Sequence, residues 1–166
     1  MFYTPLINKA LKICFDAHKN QVDAAGMPYV FHPLHLAEQF DSETRIVCAL
    51  LHDVREDNRT NYDMDFFARN FPAHICNVLC LLTRRESQEY REYIYELSKD
   101  DDAKAIKIKD LEHNMNIARF GVDEEWFMKD VSKQTKLIQE RYLPALKFLQ
   151  GYNPDYAKRY TEAEEE

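Results

Sequence analysis

The chain has 166 residues, 45% of them hydrophobic and 31% charged, with only 3 glycines. That length suits one well-buried core and leaves little room for a second, so a single domain over 1–166 is expected, globular and mostly α-helical. A net charge of -7 and a pI near 5.4 argue against a nucleic-acid polymer or an anionic membrane surface as partner, while a small anion stays open wherever local cations or a bound metal reverse the field.

Thr4-Pro5 offers an N-cap followed by proline at the first helical position, and Leu6, Ile7, Ala10, Leu11, Cys14 and Phe15 recur at helical spacing, so a first helix is expected to about Gln21. The glycine and proline of Val22-Asp-Ala-Ala-Gly-Met-Pro28 mark a loop. His32 precedes Pro33, where helical backbone is disfavoured, and a short helix is expected from Pro33 to about Phe40. Asp41 or Ser42 then caps a helix that buries Ile46, Val47, Ala49, Leu50 and Leu51 and continues through His52 to the acidic residues beyond it.

Two further helices are expected over Asp63–Phe71 and Pro72–Leu82, and a tyrosine-rich one from Ser87 or Gln88 to Ser98, whose Tyr90, Tyr93 and Tyr95 read as packing. Asp100-Asp-Asp102 caps a helix from Ala103 to about Phe120, ended by Gly121. A long amphipathic helix over about 124–150 carries Val131, Ile138, Tyr142, Ala145 and Leu149 at near-heptad spacing, and the acidic tail 161–166 reads as a frayed end. The sum is an all-α bundle of about eight helices in one domain.

The cysteines Cys14, Cys48, Cys76 and Cys80 sit among apolar residues without a C-x-x-C pair and are expected as buried free thiols. The N-terminus lacks the pattern of a signal peptide, and no apolar run approaches the ~20 residues that span a bilayer. A cytoplasmic location is therefore expected.

Chemistry concentrates in Ala49-Leu-Leu-His-Asp-Val-Arg-Glu-Asp57. On a continuous helix His52 lies beside Glu56, and Asp53 beside Glu56 and Asp57, so imidazole and carboxylates share one patch. Carboxylates this close repel one another, and the apolar surroundings of Leu50, Leu51 and Val54 make ionisation more costly still. A divalent cation relieves both, and a nitrogen and oxygen donor set without thiolate suits manganese, iron or zinc. Helical neighbours point about 100 degrees apart by the ~3.6-residue period, so further ligands must come from elsewhere. His32 and Asp110 are the candidates, and Asn114 shares a helix face with Asp110. Singly, His32 reads as a core or capping histidine, Asp110 as one half of a surface ion pair, and Glu56-Asp57 as a polar helix end. Jointly they read as one site.

The order His32, His52-Asp53, Asp110 resembles the HD superfamily of metal-dependent phosphohydrolases, and more specifically the stand-alone hydrolases related to the hydrolase half of the RelA/SpoT alarmone enzymes. The motifs that carry it are Gly26-Met-Pro-Tyr-Val-Phe-His-Pro33, Ala49 to Asp57, and Lys107-Ile-Lys-Asp-Leu-Glu-His-Asn-Met115, within a core over about 6–119. The resemblance implies an HD-type helical domain in which His32, His52, Asp53 and Asp110 hold a metal, usually Mn2+, with Fe2+ or Zn2+ as alternatives. It implies that Glu56 and Asp57 position and activate the attacking water, and that Asn114 contacts the nucleotide. The implied reaction removes pyrophosphate from the 3′ position of guanosine 3′,5′-bis(diphosphate), and the implied partner is therefore a small nucleotide-like phosphate.

Two positions depart from the family. Val22-Asp23-Ala24-Ala25 stands where relatives usually carry basic residues that hold the guanine nucleotide, and Leu111 where many have arginine. Two alternatives stay open beside the main reading: an HD-type hydrolase of another nucleotide or phosphorylated metabolite, and a non-catalytic nucleotide-sensing or protein-binding module. Lys107, Lys109, Arg55, Arg84 and Arg85 read as ordinary surface cations.

Overall fold

The computed structural model of the protein describes residues 2–23, 26–58, 60–119 and 133–162. Its helices are α1 (Pro5–His18), α2 (Phe31–Ala37), α3 (Glu43–Leu51), α4 (Val54–Asp57), α5 (Met64–Asn70), α6 (Ala73–Leu82), α7 (Tyr90–Leu97), α8 (Asp101–Met115), α9 (Leu143–Leu149) and α10 (Lys158–Glu162). Among the described residues the β pairing is confined to one isolated bridge, Val22 to Pro28, which closes the loop after α1. Gly26 turns that loop at φ 76, a left-handed angle that a side chain would strain. The all-α expectation holds.

Helix α3 is the central strut. Its Ile46, Val47, Cys48, Ala49, Leu50 and Leu51 are all buried, and it packs against α1, α2, α6 and α8. A helix apolar all round is a buried one, so the residues that follow Leu51 leave the core at a fixed point. Caps set the other entry points. Thr4 accepts from the Ile7 amide at 3.1 Å, Asp63 from Phe66 at 2.7 Å, and Asp100 from Ala103 at 2.8 Å. Each satisfies an amide that the first helical turn leaves without a partner.

Three local expectations are corrected. Helix α2 begins at Phe31 rather than Pro33, with His32 helical. Pro33 falls in the first turn, where its missing N–H removes no intrahelical bond, and the Phe31 and His32 amides bond instead to the Pro28 and Tyr29 carbonyls. Helix α3 does not run on into the acids. It ends at Leu51, and α4 starts again at Val54. The His52 ring donates from Nδ1 to the Ala49 carbonyl at 2.8 Å, occupying the acceptor that the Asp53 amide would use in an unbroken helix. Cys80 is exposed, because it lies on the outward side of α6, while Cys14, Cys48 and Cys76 are buried as expected.

Of the expected long helix over about 124–150, the part up to 132, with Val131, lies outside the described residues, as do Phe120 and Gly121. The helix before it, expected to about Phe120, ends at Met115. From 133 onward the chain is helical, but Ile138–Tyr142 is a π turn. Pro144 explains it: its ring clashes with the carbonyl four residues back, at Glu140, and a wider turn makes room. Beyond it Ala145, Leu146 and Leu149 are buried. Tyr156 and Ala157, in a 3-10 turn before α10, also join the core, so the C-terminal segment packs further than its composition suggests. Residues 24, 25 and 163–166, from the altered loop and the acidic tail, lie outside the described residues.

Candidate metal centre and cleft

The break between α3 and α4 is what allows two adjacent residues to act together. His52 caps the end of α3, and at Asp53 the backbone swings to φ -97, ψ -11, bringing its Oδ2 to 3.0 Å from His52 Nε2. His32 arrives from α2, its Nε2 3.2 Å from that of His52 and 3.7 Å from Asp53 Oδ2. Asp110, the one charged residue among the buried residues of α8, places Oδ1 3.2 Å from His32 Nε2 and 3.8 Å from His52 Nε2. Four residues from three distant segments thus aim one atom each at a single point. His32, His52 and Asp53 alone satisfy the spacing of a metal-holding group.

The hydrogen bonds around these atoms fit a cation. A carbonyl only accepts, so His52 Nδ1 carries a proton toward Ala49, and its Nε2 is free to present a lone pair inward. His32 turns its Nδ1 to His113 Nδ1 at 2.7 Å. Burial, then the neighbouring His32, Arg119 and His35, push the pKa of His113 down to about 4, which leaves it neutral and able to accept. Imidazole ligands braced through the second nitrogen are the usual pattern at metal sites. Burial opposes charge on His52, but Asp53 and Asp110 outweigh it and raise its pKa to about 10. The pocket therefore draws in a positive charge, supplied by a proton or, in its place, a divalent metal.

Around this point lie groups that sequence reading missed or misjudged. Lys107 was expected on the surface, but its side chain is 15% exposed and its Nζ bonds Asp110 Oδ2 at 2.7 Å. Burial works against both ions. The pair nevertheless holds Lys107 well above, and Asp110 well below, their ordinary pKa ranges. Asn114 Nδ2 donates to Asp110 Oδ1 at 2.6 Å, so its amide braces that carboxylate while the residue also lines the cleft. The Tyr29 hydroxyl donates to Asp53 Oδ2. Buried His18 meets Gln21 Oε1 at 2.7 Å, and Gln21 Nε2 donates to Asp57 Oδ2 at 2.9 Å, so the end of α1 orients the second acid. Spacing could have flagged His18 and Gln21, three apart at a helix end; Tyr29 and His113 sit inside motifs already quoted.

A cleft opens beside Asp53, Glu56, Asp57 and Asp110. Its far wall carries Arg84, Arg141 and Tyr90, with the Arg141 guanidinium 4.0 Å from the Tyr90 ring centre. Among the described residues the Tyr90 hydroxyl and Arg141 Nε are enclosed there without a hydrogen-bond partner of ordinary geometry, the condition of groups that a bound ligand can satisfy. Tyr93 and Tyr95 do pack as expected: Tyr93 donates to the Leu82 carbonyl at 2.7 Å, and Tyr95 stacks on Tyr160. Glu56 stands at the cleft rim. Burial first, then Asp53 and Asp57, raises its pKa against the opposing pull of Lys107 and Arg84. At the altered loop, Asp23 is paired with Arg119 at 2.8 Å and accepts from the Met27 amide at 3.0 Å.

Helical architecture and a His, His-Asp, Asp centre together define the HD class. No protein-family model matches the chain. It is 33% identical over 119 residues to a guanosine-3′,5′-bis(diphosphate) 3′-pyrophosphohydrolase of Haemophilus influenzae, covering 62% of this chain and 17% of that one. It is 30% identical over 128 residues to a probable GTP pyrophosphokinase of Mycobacterium leprae, covering 69% and 16%. With the bifunctional (p)ppGpp synthase/hydrolase SpoT of Escherichia coli it shares 29% over 123 residues, covering 66% and 17%. The chain thus spans about a sixth of the length of these relatives. A solved structure described as a metazoan ortholog of SpoT that hydrolyses ppGpp superposes with a TM-score of 0.69 at 22% identity, over 98% of this chain and 95% of that one. Within the HD class, the chain resembles the hydrolase part of the RelA/SpoT proteins.

Proposed function

We propose that the protein is a metal-dependent phosphohydrolase that removes pyrophosphate from the 3′ position of guanosine 3′,5′-bis(diphosphate). The observation that carries this reading is the convergence of His32, His52, Asp53 and Asp110 on one point directly beside Glu56, Asp57 and a partly cationic cleft. The activities named for the relatives support the substrate. His32 Nε2, His52 Nε2, Asp53 Oδ2 and Asp110 Oδ1 would hold a divalent ion, Mn2+ first and Fe2+ or Zn2+ as alternatives. When bound, that ion supplies water acidity near neutral pH and screens the phosphate's negative charge.

The chain's own groups do the rest. Glu56, with a raised pKa and open to the cleft, takes a proton from the attacking water, and Asp57, held by Gln21, orients that water. The water oxygen forms a bond to the phosphorus next to the ribose, the bond from that phosphorus to the 3′ oxygen breaks, and the 3′ oxygen leaves as a hydroxyl by taking up the proton that Glu56 removed from the water. Products are pyrophosphate and guanosine 5′-diphosphate. Arg84, Arg141 and the Asn114 amide face the phosphate and sugar side.

One observation favours a second reading, an HD-type hydrolase with another nucleotide or phosphorylated metabolite as substrate. Asp23 is committed to Arg119 and to its own turn, so the loop offers a neutralised pair rather than a cationic grip on guanine. A substrate panel separates the two. Metal-reloaded protein should release pyrophosphate from guanosine tetraphosphate faster than it hydrolyses nucleoside monophosphates or phosphorylated dinucleotides. A reversed order supports the second reading, and no turnover of any substrate refutes both.

A further inference from the structure

Arg55 sits on α4 between the ligand Asp53 and the acid Glu56, and Arg84-Arg85 follow the end of α6. At Thr83 the backbone turns extended, φ -96 and ψ 108, while the Thr83 hydroxyl returns to the Leu79 carbonyl at 2.8 Å, so the two arginines leave the core together. Buried Gln88 braces them. Its carbonyl accepts from Arg84 Nη1 at 3.0 Å, and its side-chain oxygen from the Arg85 amide at 3.4 Å. Arg55, Arg84 and Arg85 then line one concavity, shared with Thr83 and Glu86.

Three guanidinium groups around one hollow repel each other; Arg84 also lines the carboxylate-rich reaction cleft, while Arg55 and Arg85 have weaker compensation. Arg55 has no carboxylate partner among the described residues. Arg85 reaches Glu92 only at 3.7 Å, with 71% of its side chain exposed, a pair of small worth in water. Among the described residues Glu86 is the carboxylate on this wall, and Glu96 lines the adjoining hollow with Arg55 and Arg85. In a chain of net charge -7, such a cluster has a use if an anion completes it. Guanidinium is matched to phosphate through paired hydrogen bonds. Arg84 lines both this hollow and the reaction cleft, so the two share a wall.

We propose that Arg55, Arg84 and Arg85 form an anion cup that takes a second phosphate group of the substrate, remote from the one that reacts. The inference rests on the phosphohydrolase reading and adds a source of selectivity to it. Esters carrying a distant phosphoanion are favoured over those without one, and the grip lies on the α4 and α6 side rather than in the Asp23 loop.

The test compares guanosine 3′,5′-bis(diphosphate) with guanosine 3′-diphosphate, which lacks the 5′ phosphates, in wild type and in the double variant Arg55→Gln/Arg85→Gln. The ratio of kcat/KM for the two substrates should fall about tenfold or more, through KM, since each lost charge-assisted bond is worth roughly that factor. Arg55→Lys/Arg85→Lys should restore part of it, and thermal unfolding checks that the variants fold. An unchanged ratio overturns the cup. If wild-type protein turns over neither substrate, the phosphohydrolase reading fails by itself. Calorimetry with inorganic pyrophosphate on metal-stripped protein then decides the cup separately. At least tenfold weaker binding in the Gln double variant upholds the anion site, and equal binding removes it.

Discussion

Replacing Lys107 with methionine probes how the centre is held. The substitution keeps most of the side-chain volume and removes a buried positive charge 2.7 Å from Asp110. Lys107 is 15% and Asp110 6% exposed, so water screens the pair little. Removing one partner of a buried pair costs about 3–5 kcal/mol because the other charge is left uncompensated. Here Asn114 and the two histidines still contact Asp110, which points to the lower end, about 3 kcal/mol. For a chain of this length that is a fall in Tm of roughly 6–12 °C. A divalent ion on Asp110 Oδ1 compensates the same carboxylate, so the fall should shrink when metal is added. Thermal unfolding of both proteins in chelator and in saturating Mn2+ measures it. An equal fall under both conditions would show that Lys107 and the metal do not share Asp110, and no fall in chelator would contradict the buried pair.

Three further outcomes are expected. Leu50 is fully buried in α3, and Leu50→Ala should cost about 2–5 kcal/mol in denaturant unfolding, with more than half of kcat retained at temperatures where the variant is folded. Glu56→Gln should abolish turnover yet raise Tm at neutral pH in chelator. The folded pKa of Glu56 lies above its ordinary value of 4.5, so its contribution to stability is present below about that pH and lost as pH rises through the raised folded value. A variant no more stable than wild type at pH 7 would contradict that sign. Gln21→Ala frees Asp57 and should lower kcat about tenfold with KM within twofold, as for a group that orients water; a change in KM alone would move Gln21 to substrate binding.

Much of the site was legible because its residues lie in short, ordered motifs. His52-Asp53 follows an apolar run that had to be buried, and that burial fixes where the pair emerges. The expectation that a straight helix carries His52 into Glu56 failed for a side-chain reason, the His52 bond to the Ala49 carbonyl, which no spacing rule contains. Lys107 and Asp110 illustrate a second limit. A lysine three residues from an aspartate looks like a surface pair, and only the packing of α8 against α3 and α6 shows that it is buried. Gln21 and Asp57 are 36 positions apart, and Arg119 and Asp23 are 96 apart, so those partnerships required the tertiary fold. The π turn before Pro144 was latent in the proline, but its effect on Ile138 and Tyr142 depends on how the turn widens.

The most direct test of the central claim is metal stoichiometry paired with turnover, in wild type and in His52→Ala. Protein stripped with chelator and reloaded should bind one divalent ion per chain and release pyrophosphate from guanosine tetraphosphate, and His52→Ala should lose both. Wild-type protein that binds no divalent ion, or a His52→Ala variant that keeps both metal and turnover, would contradict the account.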